Sequence, residues 1–103
     1  MIDKKTVSLC EIDVIETGRR IDYYMRQHSL THKQIAQALM LSPQAVYKWT
    51  SGKALPSLEN IVQLSCILEV GIDDIIVRKI QYHFDIPEYY LREDTLDYSY
   101  WLQ

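Results

Sequence analysis

From Thr17 to about Val77 apolar positions recur at helical spacing, punctuated by residues that start or stop helices. Thr17 predicts an N-cap for a first helix over residues 18–28, with Ile21, Tyr24, Met25 and His28 on one side by i, i+3, i+4, i+7 spacing. A second helix opens at Thr31, whose hydroxyl can accept from the backbone near Gln34 while the Gln34 side chain reaches back, a capping box. Ile35, Ala36 and Leu39 supply its apolar stripe. A third opens at Ser42 as N-cap, with Pro43 at the first helical position, where a missing N–H costs nothing and the fixed φ suits the helix. Val46 and Trp49 face inward, and Gly52 closes the helix in the left-handed conformation that glycine tolerates. Ser57 caps a fourth helix, with Leu58, Ile61, Val62, Leu64, Ser65 and Leu68 as its expected inner side. Gly71 precedes a fifth that begins Ile72, Asp73, Asp74, its acidic pair in the first turn, where the helix dipole favours negative charge. The expected fold is all-α, five helices around one small core.

The two ends read differently. Residues 1–16 form an arm in which the alternation Thr6, Val7, Ser8, Leu9 suits a short extended piece; residues 17–77 are the helical domain, and residues 78–103 an extension. Tyr82, Phe84, Tyr89, Tyr90, Tyr98, Tyr100 and Trp101 lie in that extension, seven of the chain's eleven aromatics. A solvated tail is aromatic-poor, so this one is expected to pack: on the first helix and arm, on a second copy of the chain, or on another protein. Pro87 with Glu88 can start a short helix through Arg92, and Tyr98 to Leu102 can form a strand beside residues 6–14.

The outward row of the third helix, Gln44, Ala45, Tyr47 and Lys48, is the candidate chemistry. The run SPQAVYKWTSGKALPSLENIVQLSCILEVGIDDII, Ser42 to Ile76, resembles in register the Cro and repressor type of helix-turn-helix, a large family of bacterial and phage transcriptional regulators. The resemblance covers about residues 17–77. It implies a five-helix lambda-repressor-like DNA-binding domain with a short N-terminal arm and an aromatic C-terminal extension. It implies as partners double-stranded DNA and a second copy of the chain, with residues 43–51 in the major groove of a palindromic operator. Repression by occluding a promoter is the simplest action.

Gln44 can donate to and accept from adenine N6 and N7; Lys48, on the same side, suits guanine O6/N7 or a phosphate. Tyr47 stands where the family often has a small residue such as Ser, and its ring can meet a thymine methyl or a phosphate. Ala45 completes the base-contacting set. In an arbitrary helix such residues are simply a solvated surface; the motif around them reverses that reading. Thr31, His32, Lys33, Ser42, Ser51 and Lys53 are the expected phosphate contacts, short or basic side chains beside helix N-termini. His32 replaces a common Gln, and a neutral imidazole still has an N–H to donate. Many members pair an Arg at the position of Met25 with a Glu at the position of Thr50. Here both charges are gone together, so an apolar contact is expected in their place.

Charge supports this reading once it is divided along the chain. The net charge of −3 comes from residues 1–15 at −1 and 78–103 at −2, while 16–77 balance. Between Tyr23 and Leu58 there is no acidic residue, and Arg26, Lys33, Lys48 and Lys53 are basic. Local sign decides how a surface meets phosphates.

The 103 residues suit one domain, and the absence of an apolar run of roughly 18 residues argues against a membrane span. Glu11 and Asp13 break the N-terminal stretch, so a signal peptide is not expected and the location is read as cytoplasmic. Cys10 and Cys66 are expected reduced; with His28 and His83 they lack metal-ligand spacing, so no metal or cofactor is expected. No Gly-rich phosphate loop or nucleophile elbow is present, and an enzyme is not expected. A second function class stays open: a protein-interaction module, antitoxin-like or an inhibitor of a host factor, working through residues 78–103.

Overall fold

The caps and stops of the chain build seven elements in the computed structural model, which describes residues 5–87, without the side chains of residues 80–82. They are β1 (Lys5–Ile12), α1 (Val14–Gln27), α2 (His32–Leu39), α3 (Pro43–Thr50), α4 (Leu58–Leu68), α5 (Ile72–Ile75) and β2 (Arg78–Ile86). They fall into two units, residues 12–79 with all five helices, and a strand pair of the remaining strand residues.

Local chemistry explains most helix ends in the first unit. Thr31 Oγ1 accepts from the Gln34 amide at 3.1 Å and Gln34 Oε1 from the Thr31 amide at 2.9 Å, so the capping box forms. Ser57 Oγ accepts from Asn60 at 3.2 Å, and Asp74 Oδ2 from Gly71 at 2.9 Å. Gly52 adopts φ +76°, with Ile15 against the position a Cβ would take. Ser42 stands at the N-cap position of α3, but its side chain makes no capping bond.

The start of α1 differs from the expectation. Asp13, not Thr17, is the N-cap, its carboxylate accepting from Glu16 at 3.0 Å. Thr17 lies inside the helix, fully buried, and accepts from the Val77 amide at 3.0 Å. A hydroxyl that serves a backbone group 60 residues away cannot also cap its own helix. Asp13 N–H donates to the Val77 carbonyl at 2.7 Å, and Arg20 to the Asp74 carbonyl at 3.1 Å, so α1 is tied to the end of α5.

The core is Ile21, Met25, Ile35, Ala36, Val46, Trp49, Leu64, Leu68 and Ile75, with Leu39 and Leu41 packed against it. The inner sides expected of α2 and α3 are those buried. His28 is exposed at the C-terminus of α1, and Leu58 and Val62 of α4 face solvent, Leu58 at 73 % exposure. The apolar stripe of α4 is wider than its neighbours cover. α3 packs on both α1 and α2, and at Gly18 the approach is backbone to backbone, since a Cβ there would collide with the Trp49 carbonyl oxygen.

The all-α expectation is corrected by a pair of strands from the two ends of the described chain. β1 and β2 form a two-stranded sheet, with Thr6 Oγ1 donating to Asp85 at 2.6 Å and Ser8 Oγ 2.6 Å from His83 Nδ1. Two residues forward on β1 match two back on β2, so the pairing is antiparallel. The arm is extended as expected and, among the described residues, pairs with residues 78–86; a strand was also expected over Tyr98 to Leu102. That last stretch, and all but Pro87 of the helix expected through Arg92, lie outside the described residues.

Candidate nucleic-acid interface

The short α2–α3 connection sets how the outward side of α3 is presented. Met40 ends α2 in the left-handed region at φ 58°, and the Leu41 amide donates to the Ala36 carbonyl at 2.8 Å. Leu41 then packs on the core, and Pro43 begins α3 two residues on. Val46 and Trp49 anchor the inner side of that helix. Gln44, Tyr47, Lys48 and Ser51 are therefore exposed together, by i, i+3, i+4, i+7 spacing. Beyond α3, the amides of Lys53 and Ala54 both donate to the Lys48 carbonyl, at 2.9 and 3.2 Å. That turn returns Lys53 to the same side as Lys48.

An open cleft of about 620 Å³ runs along this surface, lined by Asp22, His32, Gln44, Tyr47, Lys48, Thr50, Ser51 and Lys53. Of the residues expected to contact DNA, it gathers Gln44, Tyr47 and Lys48 of the base set and His32, Ser51 and Lys53 of the phosphate set. Ala45 is half-buried, Lys33 and Ser42 are exposed away from the cleft lining, and the Thr31 hydroxyl is engaged in its capping box.

Asp22 and Thr50 also line the cleft, and sequence reasoning did not place them there. Asp22 borders the acid-free stretch, and the fold brings it round; its carboxylate accepts from Arg26 Nε at 2.9 Å. The pair cancels locally, and among the described residues neither Lys48 nor Lys53 is ion-paired, so the cleft keeps positive charge. Met25 is buried in the core, while Thr50 Oγ1 is 2.8 Å from His32 Nε2. The His32 and Tyr47 rings stack, centroids 4.0 Å apart and planes 2° from parallel. No group of His, Cys, Asp or Glu among the described residues has a metal-binding arrangement. None of the described helices is long and apolar enough to cross a membrane. Cys10 and Cys66 are both exposed and unbridged.

Comparison with known proteins agrees with this geometry. Over 62 residues the chain is 31 % identical to the HTH-type transcriptional activator BcrR of Enterococcus faecalis, covering 60 % of this chain and 30 % of that protein. Over 48 residues it is 35 % identical to the cryptic phage CTXphi transcriptional repressor RstR of Vibrio cholerae, covering 47 % and 43 %. The chain thus spans less than half the length of either relative. In three dimensions it resembles the restriction-modification controller protein C.AhdI of Aeromonas hydrophila, with a TM-score of 0.57 and 22 % identity, covering 61 % of this chain and 96 % of that one. That likeness speaks to the fold. The family model described as Helix-turn-helix matches residues 21–75, more than half of the chain, and the protein belongs to that family, in its Cro and repressor branch.

Proposed function

We propose that the chain is a sequence-specific DNA-binding transcriptional regulator that works in the cytoplasm as a homodimer on a palindromic operator, with residues 43–51 in the major groove. The carrying observation is the gathering of Gln44, Tyr47, Lys48 and Lys53 on the open side of a helix whose other side is locked into the core. An amide, an aromatic edge and two ammonium groups in one row match the mixture of base edges and phosphates that a groove presents. The relatives named an activator and a repressor divide on the sign of regulation. Occlusion of a promoter by the bound dimer makes repression the simpler action. As a homodimer the chain would set two α3 helices about 34 Å apart, one turn of the duplex.

The second reading, a protein-interaction module acting through residues 78–103, draws support from Phe84, 44 % exposed on β2. Selecting bound duplexes from a random pool with the full chain tests the two together. A recovered consensus with two inverted half-sites supports the regulator; recovery of no sequence at low salt, with another protein retained through residues 78–103, supports the alternative.

A further inference from the structure

The His32–Tyr47 pair does more than line the cleft. Thr50 Oγ1 lies 3.5 and 3.4 Å from the carbonyl oxygens of Val46 and Tyr47, the usual acceptors for a helical threonine hydroxyl. With its proton directed there, Oγ1 is the acceptor of the 2.8 Å contact, and His32 Nε2 carries the hydrogen. Neutral His32 then has only a lone pair on Nδ1, and no N–H left for a phosphate. What the imidazole does offer is its face, laid flat on the Tyr47 phenol.

Tyr47 is 57 % exposed, and its neighbours on the same helix side are Gln44 before it and Lys48 and Ser51 after it. A tyrosine so exposed ordinarily samples several rotamers; this one is backed by a ring that is itself bonded to the α3 backbone through Thr50. We propose, resting on the DNA-binding reading, that Tyr47 is a specificity determinant whose ring edge packs on a thymine C5-methyl. His32 is its positioning residue, holding the ring through the stack instead of contacting DNA. The place of Tyr47 inside the outward row favours a base methyl over a rim phosphate, and thymine is the base that offers an apolar contact in the major groove.

The test begins from the selected duplex and replaces each thymine in turn by uracil, which removes the methyl alone. With the full-length wild-type chain, one thymine per half-site is expected to matter, its replacement weakening binding roughly fourfold, about the worth of one buried methyl. His32→Ala should bring that thymine-to-uracil ratio near one, and His32→Phe, which keeps a flat ring, should retain it. Tyr47→Leu, a surface change that leaves the core untouched, should abolish the ratio as well. If no thymine is sensitive, or if His32→Ala and His32→Phe weaken every duplex equally and leave the ratio as in wild type, the proposal is overturned while DNA binding stands. Should wild type select no duplex, the underlying reading fails with it.

Discussion

α3 and α4 are built alike and present unlike surfaces. Each follows a serine at its N-cap position and buries one side in the same core, Val46 and Trp49 from α3, Ile61, Leu64 and Leu68 from α4. Outward, α3 shows Gln44, Tyr47 and Lys48, whereas α4 shows Leu58, Val62 and the acidic Glu59. Burial thus fixes where a helix lies, and only the residues left over decide what it meets. A row with amides, ammonium groups and an aromatic edge suits a nucleic-acid groove; an apolar row flanked by acid does not.

The comparison breaks most visibly at the core. Leu64→Ala removes a fully buried side chain and should cost about 2–5 kcal/mol in urea denaturation, while Leu58→Ala on the same helix should stay within about 0.5 kcal/mol. A similar loss from both would mean that the outer side of α4 is covered in the folded protein. Next in size, Gln44→Ala should leave stability unchanged and cost on the order of 1–3 kcal/mol in binding, confined to one base pair of each half-site. Competition against single-base operator variants reads that confinement.

The turn between the helices offers a change of opposite sign. Met40 is 92 % exposed and held in the left-handed region, so Met40→Gly should stabilise the fold by about 1 kcal/mol, seen as a higher urea midpoint. Smallest is Lys53→Ala, expected to weaken every duplex alike by under about 1 kcal/mol. It should also reduce the slope of log affinity against log salt by about one. A sequence-dependent loss would move Lys53 from the phosphate set to the base set.

Features closed by hydrogen bonds within one turn were legible in the sequence: the Thr31–Gln34 box, the Ser57 cap and the Gly52 stop each involve residues close in the chain. So was the inward period of α2 and α3, because the motif is short and every inner position is apolar. What escaped depends on distant partners. Thr17 has the chemistry of an N-cap, yet Val77 takes its hydroxyl. Leu58 and Val62 have the right period for the core, but no described element covers them. The β2 strand did carry a signal, Ile80, Tyr82, Phe84 and Ile86 at every second position; counting its aromatics with those of the rest of the extension obscured it. The stack of His32 on Tyr47 has no signature at all, since the crossing of α2 and α3 creates it.

The central claim, that the outer side of α3 and not that of α4 is the face that meets DNA, is tested most directly by titrating the isotope-labelled full chain with the selected duplex and following its backbone amide resonances. The account predicts shifts concentrated at residues 31–33 and 42–53, with residues 58–69 still. Shifts centred on Leu58, Val62 and Cys66, with Gln44 to Lys48 unmoved at saturation, would contradict it.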